Sequence, residues 1–342
     1  MPTVSFLMSN YQTPPAFLRR ALDSMLAQTL ADFQAVIVND GVKDASWEVL
    51  LEYAAKDPRI RLIENEKNLG LPKSLNRAMD ACTGKYVARM DTDDICFPDR
   101  LARQVDYMES HPDVMFAGAW ADQFETDENV VTARFDPVMC PQEEYRIRLL
   151  FANRPLLVHP TVIFRREFLQ KNGLRYSEDP AYRYTEDYEF WTRCADCGTA
   201  GILEEPVILY RQAPLESRIT VRHKEESAVC SENVQKKLLS KLEIAPSEYD
   251  PAVHMCLLNG RKPYDIRYKK WMARLCRQNR KYKIYDQITM RRVFRDRWFS
   301  IVYYGIAYEK DPFKRLRYVC TLPPGDAVRF AKTLLKKGDG KP

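Results

Sequence analysis

In the stretch YVARMDTDDICFPDRL, Tyr86–Leu101, an apolar run ends in three carboxylates within four residues, Asp91, Asp93 and Asp94. Lys85–Met90 reads as a buried strand, and Pro98–His111 as a helix with proline near its start, where its fixed φ is tolerated. Asp93 and Asp94 precede Pro98 closely enough for a helix N-cap role, and an acid near a helix start contributes about 0.3–1 kcal/mol through the dipole. Three carboxylates exceed what a cap needs, and they repel one another. Oxygen ligands at alternating spacing suit a hard divalent cation, Mg2+ or Mn2+, shared with phosphate oxygens. On a chain leaving a strand, Asp91 and Asp93 can point to similar sides while Asp94 turns away. Metal binding and a capped loop both remain open on these residues alone.

Working outward, Thr3–Met8, Gln34–Asp40, Arg59–Asn65 and Val114–Ala119 are further short apolar runs of strand type. Helical patterns separate them. Pro14–Gln28 places Phe17, Leu18, Ala21, Leu22, Met25 and Leu26 on one face, and Ser46–Lys56 and Pro72–Ala81 follow. Such alternation predicts an α/β fold, a mainly parallel sheet flanked by helices on both faces. Ligands of such sheets bind at the carboxyl ends of the strands, so Ser9, Asn10, Tyr11, Asp40 and Asp91–Asp94 are expected to converge on one crevice.

From Gln142 the pattern changes: a helix, a strand–helix pair at Thr161–Leu169, a helix at Glu186–Cys197 and a strand at Val207–Arg211. Beyond Lys224 the chain reads as mostly helical. The polar stretch Arg211–Arg222 is the candidate linker, dividing a catalytic domain, 1–222, from a basic helical region, 223–342. Charge is divided unevenly as well, with the basic excess beginning at Gly260. Gly260–Pro342 carries 23 Lys and Arg against 7 Asp and Glu, a net of +16, whereas the preceding residues carry 30 against 40, a net of −10. Mixed with Trp, Tyr and Phe, that basic region suits an anionic membrane surface, with packing on the catalytic part as the plain alternative and nucleic acid the disfavoured partner. Trp298–Tyr308 is too short to span a bilayer, which needs about 20 apolar residues. The 9 cysteines are unpatterned, and the N-terminus lacks a signal-peptide pattern, so a reducing cytoplasm is expected. Cys194 and Cys197 form a C-x-x-C inside a helix, with no second pair at zinc-site spacing.

Val4–Gln12, Phe17–Asp44, Arg59–Met79, Gly84–Val105, His159–Arg166 and Tyr184–Cys194, taken in order, resemble the family 2 glycosyltransferases of the GT-A fold over roughly Thr3–Arg218. The resemblance implies a nucleotide-diphosphate-sugar donor, with a UDP-sugar favoured, and Mn2+ or Mg2+ as cofactor. It assigns base and ribose contacts to Asn10, Tyr11 and Asp40, and the nucleotide-site lining to Asn68, Gly70, Lys73 and Asn76. Asp91 and Asp93 match the family's D-x-D and its metal, with Asp91 also beside the donor. Glu186 and Asp187 match its E-D pair, with Asp187 as general base, although Thr185 ahead of them also fits a helix cap. His159 matches a family position and is equally readable as a structural histidine; Trp191, one turn after Asp187, is a candidate sugar-stacking ring or a core residue. The family further implies inversion, a glycan or lipid-linked glycan acceptor and surface-polysaccharide assembly, at the inner face of the cell membrane if the basic region docks there. Ser9, Gln12 and Val42 depart from the family pattern next to the nucleotide base. A metal-dependent nucleotidyltransferase, or a non-catalytic module recruited by the basic region, are the rival readings.

Overall fold

Residues 1–152, 156–214, 219–254 and 266–308 are described by a computed structural model. The apolar runs form β1 (Val4–Asn10), β2 (Phe33–Asn39), β3 (Ile60–Glu64) and β4 (Tyr86–Arg89), joined by α1 (Pro15–Leu26), α2 (Ala45–Lys56) and α3 (Leu71–Ala81). Their order, β3-β2-β1-β4, is parallel throughout. Asn10 lies opposite Asn39, Asn39 opposite Glu64, and Leu7 opposite Arg89, so the carboxyl ends share one edge. Local chemistry fixes the helices. Leu18, Ala21, Leu22 and Met25 bury one face of α1. Asp44 caps α2 by accepting hydrogen bonds from the amides of Ser46 at 2.9 Å and Trp47 at 3.3 Å.

Past β4 the sheet is mixed. β5 (Ile95–Cys96) follows the acidic turn, and then come α4 (Arg100–Ser110), β6 (Val114–Phe124), β7 (Ala133–Phe135), α5 (Gln142–Leu149), β8 (Ile163–Arg165), α6 (Arg166–Lys171), α7 (Glu186–Cys197) and β9 (Thr199–Arg211). β8 sits antiparallel between β4 and β6, β9 runs parallel to β6, and β5 pairs antiparallel with the end of β9. The architecture is therefore α/β, a sheet flanked by helices, with a parallel first half and a mixed second half. Phe6, Met8, Leu22, Ile37, Leu50, Ala88 and Leu101 form part of the core cluster between sheet and helices.

One local expectation fails. α4 begins at Arg100 with Asp99 at its cap position, and β5 separates it from Asp93 and Asp94. Neither acid can cap that helix. Cys194 and Cys197 do lie in α7, one buried and one exposed, both free thiols.

The chain divides into two compact units, Met1–Leu149 with Arg154–Val234, and Leu150–Asn153 with Gln235–Pro342. After α8 (Ile219–Arg222), α9 (Lys224–Ser240) runs from the first unit into the second. The second unit holds α10 (Pro251–His254), α11 (Ile266–Tyr282) and α12 (Gln287–Tyr308). Its core is organised on His254. The indole N–H of Trp271 can only donate, so at 3.0 Å it fixes His254 Nδ1 as acceptor, leaving Nε2 to donate to the Leu150 carbonyl at 2.9 Å. Burial holds this neutral imidazole down at about 4. Part of the linker stretch (residues 215–218) and part of the basic region (255–265 and 309–342) lie outside the described residues. Among the described residues, no helix is long and apolar enough to cross a membrane.

Gly41 turns the chain out of β2 at φ +81°, and a Cβ there would lie 2.0 Å from the Lys67 carbonyl carbon and 2.2 Å from the Asn68 nitrogen. Both the left-handed backbone and the backbone clash oppose a side chain. Gly41→Ala is expected to cost more than about 1 kcal/mol in denaturant unfolding, and an unchanged midpoint would contradict this packing of the β2 turn on the following loop.

Candidate active site

The end of β2 is built by polar side chains that hold loops. Asp40 is 2% exposed, and both its oxygens are engaged: Oδ1 accepts from Asn65 Nδ2 at 2.7 Å and the Leu69 amide at 2.8 Å, Oδ2 from the Gly70 amide at 2.9 Å. Asp40 thus shapes the 68–70 loop. Asn76 is buried too. Its Oδ1 accepts from the Tyr176 amide and its Nδ2 donates to the Tyr176 carbonyl, both at 2.9 Å, so it ties α3 to the segment before α7. Asn10 is buried, its Nδ2 donating to Asn39 Oδ1 and Ser46 Oγ at 2.8 Å each, while its own Oδ1 is buried with no hydrogen-bond partner. Tyr11, beyond it, is 49% exposed. Asn68 and Lys73 are exposed, and Gly70, at φ +87°, starts α3. These four are open at the carboxyl edge of the parallel strands.

The acidic turn is built around cations the motif reading did not include. Arg89, the last residue of β4, is 2% exposed, and its Nη1 lies 2.6 Å from Asp91 Oδ1. Asp93 is pushed up to about 6 by burial and by the neighbouring Asp91 charge, against the pull of Arg89 and Arg211. Asp94 is almost wholly buried and is raised well above the carboxylate range by burial and by Asp93; its Oδ1 accepts from the Arg211 amide at 2.8 Å. Asp94 is therefore held toward its neutral form, as a structural acid. An arginine in an otherwise apolar strand just before an acidic cluster was the one sequence signal for Arg89.

Glu186 and Asp187 open α7, where the helix dipole favours their ionised forms. Burial opposes it and wins. Glu186 is raised, and Asp187 is pushed up to about 7 by burial and by the Glu186 charge, against the Tyr188 amide donating at 2.7 Å and the charge of Arg89. Thr185 occupies the cap position, but its hydroxyl donates to the Tyr182 carbonyl at 3.2 Å and caps nothing. Glu186 also feels Asp91, so the pair at α7 and the acidic turn share one electrostatic field centred on Arg89.

His159 lies in a short 3-10 turn before β8. Its Nε2 and the Tyr176 hydroxyl are hydrogen-bonded at 2.8 Å, and burial beside Arg89 keeps the imidazole neutral. Trp191 has no exposed surface. Its ring stacks with Phe116 at 6.2 Å and Phe164 at 5.7 Å, and His159 meets its edge at 5.8 Å. No sugar can reach either face, so Trp191 is corrected to a core residue; α7 is buried on the Trp191 side as well as at its first turn.

Divalent-cation binding is testable on these groups. Asp91 has one oxygen against Arg89 and one remaining, and Asp93 adds a second hard carboxylate. Among the described residues, no group of three or more His, Cys, Asp or Glu is placed to form a cage by itself. One or two carboxylates completed by substrate phosphates is the usual Mg2+-type arrangement. The residues fit a cation brought with a diphosphate, not a protein-only site.

Residues 5–173 match the family model described as Glycosyl transferase family 2. An uncharacterized glycosyltransferase, MJ1057 of Methanocaldococcus jannaschii, is 35% identical over 215 residues, 61% of this chain and 71% of that one. The amylovoran biosynthesis glycosyltransferase AmsE of Erwinia amylovora is 34% identical over 195 residues, 57% and 70% of the two chains. Among solved structures, S. aureus TarS 1-349 in complex with UDP-GlcNAc superposes over 90% of this chain and 92% of that one at a TM-score of 0.53 and 14% identity, a likeness of fold.

Trp191→Ala is expected to lower stability by about 3–5 kcal/mol in chemical unfolding, the scale of emptying a buried aromatic site. A stability within error of wild type, with ligand binding alone impaired, would restore the stacking role.

Proposed function

This chain belongs to glycosyl transferase family 2, and on that premise we propose that it moves a sugar from a nucleotide-diphosphate sugar to an acceptor hydroxyl with inversion at the anomeric carbon. The observation that carries the reading is Asp187, held at about 7 at the head of α7 in the same field as Asp91 and Asp93. A carboxylate poised there accepts a proton near neutrality far better than one at its ordinary value. Donor diphosphate on one side and acceptor hydroxyl on the other is the arrangement a single displacement requires.

Each residue then has a stated task. Asp187 takes the proton of the acceptor hydroxyl as that oxygen attacks. Glu186, beside it, keeps Asp187 basic by repulsion. Asp91 and Asp93 would hold Mn2+ or Mg2+ together with the diphosphate, and the cation, when bound, neutralises charge on the departing nucleoside diphosphate. Arg89 holds Asp91 in place and offsets the collected negative charge. The buried Asn10 and the open residues Tyr11, Asn68, Gly70 and Lys73 are proposed to line the nucleotide. A UDP-sugar is the donor favoured here, in keeping with the ligand of the TarS complex, and a surface glycan or lipid-linked glycan the acceptor, in keeping with the biosynthetic role in the name of AmsE. The basic C-terminal region is proposed to rest on an anionic membrane from the cytoplasmic side; the net charge of +16 over Gly260–Pro342 supports this. Equal co-sedimentation with neutral and anionic vesicles would end that part of the reading.

Asp187→Asn is expected to lower kcat by about 100-fold or more, the scale of general-base catalysis, with donor binding retained. Because Asp187 must lose its proton to act, the wild-type rate should rise through about pH 7 and level off above it. The sign for stability is opposite. The native carboxyl keeps its proton between about 4 and about 7 while the unfolded chain loses it, so native stability falls across that window. Asp187→Asn should therefore be at least as stable as wild type at pH 8. Retained turnover in the folded variant would contradict the base assignment.

A further inference from the structure

Arg211 ends β9, far in sequence from the acidic turn, yet it holds that turn by two hydrogen bonds. Its amide donates to Asp94 Oδ1 at 2.8 Å. Its Nε donates to the Asp93 carbonyl at 3.0 Å. Its guanidinium is packed against two rings, 4.0 Å from the Phe17 centroid and 4.4 Å from that of Phe124. Arginine stacks well on aromatic faces because the guanidinium is planar and weakly hydrated. Packed against the two rings, it has little freedom to swing, so the direction of its Nε bond is set by α1 and β6 rather than by solvent.

Elsewhere the turn is held by the Arg89–Asp91 pair and by the Thr92 hydroxyl, hydrogen-bonded to that of Thr13 at 2.7 Å, but neither contact reaches Asp93. Asp91–Asp94 spans the gap between β4 and β5, and β5 is two residues long, pairing Ile95 with Leu209 and Cys96 with Ile208. Arg211 extends that ladder by two residues through side chains: Asp94's carboxyl takes the strand's next free amide, and Arg211's own side chain takes the following carbonyl. Holding the Asp93 main chain sets where its carboxylate points.

We infer that Arg211 is a positioning residue for donor binding, which orients Asp93 toward the diphosphate by clamping the main chain of the acidic turn to the end of β9. The inference rests on the donor reading above. It predicts a selective effect. Arg211 acts on the turn that meets the diphosphate, whereas base and ribose would lie at the far side of the crevice, along β1 and the 68–70 loop. A loss at Arg211 should weaken the part of the affinity contributed by the diphosphate with its cation and spare the rest.

The test is titration calorimetry on the full chain. Wild type is titrated with UDP, GDP, ADP, CDP and dTDP in the presence and absence of Mn2+, and the tightest nucleotide is carried forward with its monophosphate. Arg211→Met keeps the packed stem and removes the Nε donor and charge; Arg211→Lys keeps the charge and serves if the first variant does not fold. Arg211→Met is expected to weaken Mn2+-dependent diphosphate binding by about tenfold or more, roughly the worth of a charge-assisted hydrogen bond, and to leave monophosphate binding within about twofold, with Arg211→Lys intermediate for the diphosphate. Unchanged diphosphate binding, or an equal loss for both nucleotides, overturns the inference and leaves the donor reading standing. Absence of any Mn2+-dependent diphosphate binding by wild type overturns the donor reading, and the inference with it.

Discussion

A guanidinium with 2% of its surface exposed, Arg89, ends β4, the strand where the parallel half of the sheet meets the mixed half, and touches Asp91 at 2.6 Å. A buried charge without a partner is costly, and a buried pair is weak evidence of stability, because desolvation of both ions offsets their attraction. The arrangement makes sense as a site. Asp91, Asp93, Asp94, Glu186 and Asp187 lie in the reach of this one cation, with Arg211 at the edge, so the acids outnumber the bases. The excess is relieved in two ways. Asp94 and, near neutrality, Asp187 hold protons, and the remaining negative charge favours a cation with a diphosphate. On the proposed reading, the same imbalance gives a base that works near pH 7 and a place for the leaving group.

The frame around that imbalance is tied by polar side chains rather than by helices alone. A second buried arginine, Arg100, donates to the Arg89 carbonyl at 2.6 Å and the Pro160 carbonyl at 2.8 Å, joining the end of β4 to the turn that carries His159. His159 meets Tyr176, Tyr176 is held by Asn76, and Asp40 closes the loop in front of α3. Loops at a sheet edge would otherwise carry unsatisfied amides, so each carboxylate or amide that holds one also removes a desolvation cost. Rigid walls of this kind are what a site needs to keep charges at fixed positions.

Much of this was legible in the amino-acid order, for physical reasons. Runs such as Gln34–Asp40 and Lys85–Met90 are long and apolar enough to mark buried strands, and their alternation with amphipathic helices leaves few topologies. Acid clusters at strand ends and at the head of α7 were visible because ionised groups are seldom placed beside buried segments without use. Pairing was not visible. The partners of Asp40 and Asn76, Leu69 and Tyr176, lie 29 and 100 residues away, and periodicity says nothing of such bonds. β5, with two residues, and β7, with three, are too short for any pattern. Trp191 follows Asp187 by one turn, which suggested a common face; the aromatic cluster of Phe116 and Phe164 on the strands claims that ring instead. Arg211 was read as the start of a linker, since only the folded sheet brings it to Asp93.

The central claim is that the acidic turn and Asp187 act on the two ends of one glycosidic transfer. Phosphorus NMR of the products formed with Mn2+ and a panel of nucleotide-sugars tests it most directly, since the released phosphorus species identifies the bond that broke. Release of the nucleoside diphosphate, dependent on acceptor and lost in Asp187→Asn, is the expected result. Release of pyrophosphate, or turnover indifferent to Asp187, would contradict it.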